Sequence, residues 1–207
     1  MAFARALAVE PSILLLDEPL ASVDQEFRTQ LRRVIRDDLV TSSRTTVLVT
    51  HDPVDALALA DLVAVVDNGR IVQTGTPLEV TSRPRSPFVA RLAGLNLLEG
   101  SGHGHELHLE GGASVITAGI VPARALATVA PRAVAVHREE PGGSPRNTWP
   151  AEVVDLESVG DRFRLELTGP VDLVAEVTPS SVSELGLGPG EAVWVAVKAT
   201  EIDVYPA

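Results

Sequence analysis

The stretch Ile13-Leu14-Leu15-Leu16-Asp17-Glu18 decides the fold of the first part of this 207-residue chain. Pro11 and Ser12 bound it on one side and two carboxylates on the other. A wholly apolar run this short predicts a strand buried on both faces, as in a parallel sheet. α/β folds place ligands at the carboxyl edge of such a sheet. Two adjacent carboxylates there can divide the work on a phosphoryl group: one holds a hydrated Mg²⁺, and the other polarises the attacking water. An acidic turn with no ligand satisfies the same residues equally well.

Outward from this strand, helical and strand-like stretches alternate. Met1 to Val9 is rich in Ala and Leu and helix-prone, and Pro11 ends it. Asp24 is the expected N-cap of a helix reaching about Leu39, with Phe27, Leu31, Val34 and Ile35 at helical spacing. Arg32, Arg33 and Arg36 are expected on its solvated face. Thr45 to Thr50 reads as a β-branched strand, and Pro53 to Leu59 as a short helix with Asp52 and Asp55 in its first turn, where the dipole favours acids. Asp61 to Val66 and Arg70 to Gln73 flank Asn68-Gly69 as a hairpin. Pro77 to Val80 and Pro87 to Ala93 are expected as short helices. Together these predict an α/β layer with a largely parallel sheet over residues 1–93.

Residues 94–207 read as a small all-β barrel. Strand-like runs lie at 107–109, 133–136, 151–156, 162–167, 173–177 and 192–197, and one helix is expected at 179–185. No internal repeat is evident. The Gly/Pro/Ser-rich stretch 141–145 suggests a boundary, dividing this part into 94–143 and 144–207. His103, His105 and His108 cluster in sequence, but without metal-ligand spacing they read as a turn and strand.

Composition narrows the function. The chain has 45% hydrophobic residues and a net charge of −11. That acidic balance argues against a nucleic-acid partner, which would demand a basic footprint. Residues 1–93 hold 10 basic and 12 acidic residues; residues 94–207 hold 7 and 16. The absence of Cys excludes disulfides and thiolate sites. No apolar run approaches the length of a membrane span. Lys198 is the only lysine and follows Val195-Ala196-Val197, so these residues contain no G-x-x-x-x-G-K-[ST] phosphate loop.

Residues 2–24, AFARALAVEPSILLLDEPLASVD, and residues 47–52, VLVTHD, resemble the ATP-binding subunits of ABC transporters over the segment that follows their signature sequence. The resemblance implies a partial P-loop-type ATPase domain over residues 1–93. It makes Asp17 the Walker B aspartate that holds Mg-ATP through water, Glu18 the general base, and His51 the switch histidine on the γ-phosphate. Residues Ala21 to Asp24, with Ser22 and Asp24, become the D-loop that crosses to a second ATPase subunit. The family's phosphate loop, Q-loop glutamine and LSGGQ signature lie upstream of this segment. With those elements missing, positioning and charge stabilisation of the γ-phosphate are lost, so this polypeptide alone is expected not to hydrolyse ATP. Met1 stands where the family has Val, which suggests a truncated gene model or the remnant of a split gene.

Residues 144–147 (SPRN), 176–187 (EVTPSSVSELGL) and 197–200 (VKAT) resemble the molybdate-binding Mop domains of TOBE type, an OB-like fold. The resemblance implies an oxyanion site built from Ser144, Arg146, Thr178, Ser181, Lys198 and Ala199. The chemistry suits a tetrahedral dianion, which needs hydroxyl and backbone donors plus positive charge. Residues 87–98, PFVARLAGLNLL, resemble the connection between these two domain types in molybdate-type importers. The combined resemblance implies an ATP-driving subunit of a molybdate importer, homodimeric, docked on a transmembrane permease at the cytoplasmic face of the membrane. A separate oxyanion-binding module, a non-functional fragment, or an importer of sulfate remain alternatives.

Overall fold

The computed structural model describes residues 6–21, 23–42 and 44–207, except the side chains of Gln25 and Glu26. The chain divides into two compact units, Met1–Ser82 and Arg83–Ala207.

In the first unit β1 (Ile13–Asp17) pairs in parallel with β2 (Thr45–Val49), from Ile13↔Thr45 to Asp17↔Val49. Helix α1 (Gln25–Thr41) connects them. Burial along β1 alternates: Leu14 and Leu16 pack with Leu20 and Ile35, while Ile13 and Leu15 are 61% and 72% exposed. The expectation of a strand buried on both faces is therefore corrected. Among the described residues, only one face of this two-stranded sheet is covered, and Val47 and Val49 share the bare face with Ile13 and Leu15. Asp24 occupies the N-cap position of α1 but makes no side-chain cap bond.

Helix α2 (Pro53–Leu59) starts on Asp52, whose carboxylate accepts from the Val54 N–H at 2.8 Å. Two ion pairs fasten α1 to this start. Arg28 Nη1 lies 2.8 Å from Asp52 Oδ2, and Arg32 Nε lies 2.8 Å from Asp55 Oδ1. Asp55 is 2% exposed, so Arg32 is its charge partner inside the unit and not part of a solvated face. Arg33 and Arg36 are exposed, as expected. β3 (Val63–Asp67) and β4 (Arg70–Gly75) form an antiparallel hairpin, with Asn68 and Gly69 at φ 48° and 75° as a tight primed turn requires. Helix α3 (Pro77–Ser82) opens on a capping box. The Thr76 N–H and hydroxyl both donate to Glu79, which holds its carboxyl below the usual range.

The second unit begins with α4 (Pro87–Ala93), capped by Ser86 and closed by Gly94 at φ 67°. Then come β5 (Asn96–His103), β6 (Glu106–Leu109), β7 (Ser114–Ile116), β8 (Arg124–Val129), a 3-10 turn (Pro131–Ala133) and β9 (Ala135–His137). There follow β10 (Asn147–Val159), β11 (Arg162–Thr168), β12 (Leu173–Val177), α5 (Pro179–Leu185), β13 (Ala192–Val197), a 3-10 turn (Ala199–Glu201) and β14 (Ile202–Pro206). The sheets run β7-β6-β5-β8-β14 and β12-β11-β10-β13-β9.

Laid side by side, these orders are the same motif twice. In each, a first strand turns into a second and third, a fourth pairs back on the first, and a 3-10 turn leads to a fifth. The fifth strands are exchanged: β9 joins β13 of the second repeat, and β14 joins β8 of the first. Matching bonds support the equivalence. The Ala133 N–H donates to Ala130 O at 2.8 Å, and the Glu201 N–H to Lys198 O at 2.9 Å. One apolar core serves both sheets, with Leu107, Val115, Leu165 and Val195 fully buried in it.

Two buried asparagines lock the repeats together. Asn96 Nδ2 donates to Val129 O at 3.2 Å and to Val174 O at 2.9 Å, and its Oδ1 accepts from the Val174 N–H at 2.6 Å. Asn147 Nδ2 donates to Val197 O at 3.2 Å and to Ile116 O at 2.8 Å, and its Oδ1 accepts from the Ile116 N–H at 2.6 Å. Each amide thus holds its own fourth strand and the third strand of the other repeat.

Tyr205, the only tyrosine, donates its hydroxyl to Pro84 O at 2.6 Å and is 3% exposed. Burial, with Asp203 nearby, pushes its pKa up to about 12. The folded pKa thus lies above the unfolded value of about 10. The contribution is complete below pH 10 and lost as pH rises toward 12, where the unfolded chain ionises first. Absorbance titration of the native chain is expected to show phenolate forming near pH 12, and a midpoint near 10 would contradict the buried bond. In the first unit, Arg32→Ala strands a buried carboxylate and is expected to cost about 3 kcal/mol in urea unfolding. Arg33→Ala is expected to stay within about 0.5 kcal/mol.

Candidate functional site

The first candidate centre forms where β1 and β2 end. The Glu18 N–H donates to Val49 O at 2.9 Å, carrying the pairing one residue past Asp17. Glu18 then turns at φ 43°, a left-handed conformation uncommon for a side chain of this kind. Its Oε1 lies 2.8 Å from His51 Nδ1. His51 is mostly exposed and Glu18 about one-third exposed, so the pair sits at an open edge. Asp17, beside it, is also exposed. The next residue after His51 is the helix-capping Asp52, and Arg28 anchors Asp52 to α1, the helix that starts after Asp24. Ser22 lies outside the described residues.

The donor set fits a Mg²⁺ ion that keeps most of its waters and takes one carboxylate from the protein. Asp17 would hold it, and Glu18, with one carboxylate oxygen on His51, would keep the other for a water. No lysine accompanies these groups: the sole lysine is Lys198, in the second unit.

The second candidate centre lies at the start of β10 and the end of β13. The pair Asn147↔Val197 ends the ladder, and Arg146 and Lys198, the next residue on each strand's outer side, are both exposed. Neither side chain has a partner among the described residues. Ser144, also exposed, precedes them. Ala199 opens the 3-10 turn, where its N–H has no partner within the turn. The Ala199 carbonyl accepts from the Ala118 N–H at 3.2 Å. Segment 117–119 of the first repeat therefore borders this centre. It is held by Thr117, which is buried, with its hydroxyl 2.8 Å from Gly119 O.

Thr178 and Ser181 take a different position. Thr178 caps α5: its Oγ1 accepts from the Ser181 N–H at 3.2 Å and shares hydrogen bonds with the hydroxyls of Ser180 and Ser181 at 2.8 and 2.9 Å. The strand leading to it, β12, is the one clasped at Val174 by Asn96. No bond among the described residues joins Thr178 or Ser181 to Ser144, Arg146, Lys198 or Ala199. Of the six candidates, Thr178 and Ser181 belong to the start of α5, and Ser144, Arg146, Lys198 and Ala199 to the segments just outside the β10–β13 ladder.

Sequence reasoning missed Asn147 and Ala118. Asn147 was visible as the last residue of SPRN, and its counterpart Asn96 begins the same kind of strand. Ala118 leaves no sequence signal, because it contributes a backbone N–H. Among the histidines, the His103 and His108 rings meet edge-on at 5.0 Å, and His108 Nδ1 lies 3.0 Å from Ser114 Oγ. They make a packed hairpin face, and no metal-holding cluster of His, Cys, Asp and Glu occurs among the described residues.

A family model for the TOBE domain matches residues 143–204. The molybdenum import ATP-binding protein ModC of Mycobacterium tuberculosis is 39% identical over 216 residues, covering 100% of this chain and 58% of that protein. The molybdate/tungstate import ATP-binding protein WtpC of Pyrococcus horikoshii is 35% identical, covering 100% of this chain and 60% of that protein. The sulfate/thiosulfate import ATP-binding protein CysA 2 of Chromobacterium violaceum is 39% identical, with 100% and 58% coverage. Among solved structures, the cytoplasmic molybdate-binding protein ModG matches at 20% identity with a TM-score of 0.47, over 54% of this chain and 96% of that one. That likeness is too low to add to the fold. The chain spans less than two thirds of the length of these curated relatives. Along its whole length the chain is thus similar to ATP-binding subunits of molybdate and sulfate importers, and residues 143–204 match a TOBE domain.

Proposed function

We propose that the chain provides the water-activating edge of the ATPase subunit of a molybdate importer, together with an oxyanion-binding TOBE domain. The observation that carries this reading is the 2.8 Å contact between Glu18 and His51 beside Asp17. It occurs in a chain similar along its whole length to a molybdenum import ATP-binding protein.

Bound Mg-ATP supplies an activated phosphoryl group whose charge the ion neutralises. The residues of this chain do the rest of the work at this edge. Asp17 accepts hydrogen bonds from the ion's waters. Glu18 takes a proton from the attacking water and so aims its oxygen. His51 holds Glu18 through Nδ1, which leaves Nε2 for a phosphate oxygen. The ion pairs Arg28–Asp52 and Arg32–Asp55 couple the helix after the D-loop to the helix after His51. Turnover also requires phosphate-binding sequence that these 207 residues do not contain. The partners of this reading are a second ATPase subunit and a transmembrane permease, with the chain at the cytoplasmic face of the membrane. No described helix is long and apolar enough to cross a membrane itself.

A specific observation also favours an oxyanion role for the second unit. Arg146 and Lys198 flank the last pair of the β10–β13 ladder and have no carboxylate partner among the described residues, although residues 94–207 hold 16 acidic and only 7 basic residues. The anion they fit is molybdate or another tetrahedral dianion.

The purified chain is expected to show no Mg-dependent ATP hydrolysis above a Glu18→Gln background. Fused to the phosphate-loop portion of the M. tuberculosis relative, it is expected to gain turnover that Glu18→Gln lowers at least about 100-fold. Hydrolysis by the chain alone, or fused activity indifferent to Glu18→Gln, would contradict the assignment.

A further inference from the structure

We propose that Arg28 is a positioning residue for His51. Acting through Asp52, it ties the aim of the imidazole at Glu18 to the first turn of α1. This rests on the water-activating reading of the Glu18–His51 pair.

His51 has little packing of its own to hold it. Its side chain is 74% exposed, and among the described residues its ring bonds only Glu18, through Nδ1 at 2.8 Å. Glu18 is fixed independently, by its N–H on Val49 O and by its turn at φ 43°. The aim of the ring is therefore set by the backbone on which His51 stands.

That backbone is held at Asp52. The Asp52 N–H donates to Thr50 Oγ1 at 3.1 Å, and its carbonyl accepts from the N–H groups of Asp55 and Ala56 at 3.1 and 3.3 Å. Its Oδ1 accepts from the Val54 N–H at 2.8 Å. These bonds are local, so residues 50–56 can turn as one piece. Two ion pairs tie the piece to α1, and they have different tasks. Arg32 meets the buried Asp55 inside α2 and fixes the helix. Arg28 meets Asp52 Oδ2 at 2.8 Å, directly beside His51. Both side chains of this second pair are largely buried, so salt screens it less than a surface pair.

Arg28 itself stands where α1 begins. Its N–H donates to Asp24 O at 2.8 Å, which joins it to the end of segment 21–24. The printed contact with Asp52 runs through one guanidinium nitrogen, and Nε is buried without a partner. The contact is thus a point charge on one oxygen and not a fork across both, so a lysine at position 28 can reproduce it.

The proton on His51 reports this arrangement. A carboxylate only accepts, so the bond to Glu18 puts the proton of the neutral ring on Nδ1. Released from that bond, the ring returns to the Nε2–H tautomer that an unconstrained histidine prefers.

The test is nitrogen NMR of the full chain labelled with ¹⁵N at histidine, at a pH of about 8, where an ordinary histidine is neutral. His51→Ala identifies its resonances among the five histidines. No nucleotide is added, since a phosphate oxygen at Nε2 would call for a second proton there. The native chain is expected to carry the His51 proton on Nδ1. Arg28→Ala is expected to lower the ratio of Nδ1–H to Nε2–H at least about threefold, the scale of one partly exposed ion pair. Arg28→Lys is expected to stay within about twofold of the native ratio. Arg33→Ala, exposed on the same helix, is expected to leave it unchanged. Should Arg28→Ala fail to fold, Asp52→Asn reads the same step: it keeps the cap on Val54, removes the charge that Arg28 meets, and is expected to lower the ratio. A native ratio in folded Arg28→Ala or Asp52→Asn, a loss in Arg28→Lys equal to that in Arg28→Ala, or an equal loss in Arg33→Ala would overturn the proposal. A proton on Nε2 in the native chain would overturn the Glu18–His51 contact, and the water-activating reading with it.

Discussion

The second unit depends on two buried side-chain amides. Asn96 and Asn147 each satisfy one N–H and two carbonyls that would otherwise lie buried at strand ends. A buried backbone group left without a partner costs about 1–3 kcal/mol, so each amide protects several such groups at once. Because each clasp reaches into the other repeat, neither repeat can close without its neighbour. The exchange of β9 and β14 follows the same logic, since each fifth strand completes the sheet of the other half. One shared core results instead of two small ones, which suits a stretch too short to bury two adequate cores separately.

The same clasp then sets what each junction displays. With Asn147 facing inward, the residues just outside the ladder, Arg146 and Lys198, face water. Around Asn96 the backbone arrangement is alike, but Leu95 and Ala130 take those places and α4 runs into the junction. The asparagines carry the scaffold, and the flanking residues set the charge that each junction shows to water. The first unit separates them in another way. There Glu18 is turned out of the strand by its own backbone, and His51 is placed by the short distance between β2 and the capped start of α2.

Legibility from sequence followed locality. The helices at 53–59, 87–93 and 179–185 and the strands at 173–177 and 192–197 appear at their expected bounds, because Pro at the first turn, capping residues and β-branched runs act within a few residues. The Asn68-Gly69 turn was readable for the same reason. β5 and β8 were not read as strands. In β5, Gly100 and Gly102 stand where any Cβ would strike the backbone of His108 and Pro122, so close packing replaced β-formers with glycines. The repeat was invisible because its halves share the asparagine, the turn and the strand order but few other residues. Burial on both faces of β1 was inferred from a run of leucines and isoleucine, whereas the described unit covers only alternate residues. The carboxylates, His51 and the cations Arg146 and Lys198 were all legible as motif residues. The approach of segment 117–119 to Ala199 was not, because it depends on a backbone N–H and on which repeat each strand joins.

The proposed oxyanion role of the second unit puts the anion beside Arg146 and Lys198. Anomalous diffraction at the molybdenum edge, on crystals of the chain grown with molybdate, tests it most directly. The proposed function predicts a molybdenum peak beside Arg146 and Lys198. A peak at Leu95 and Ala130, or at Thr178 and Ser181 with none beside Lys198, would contradict it.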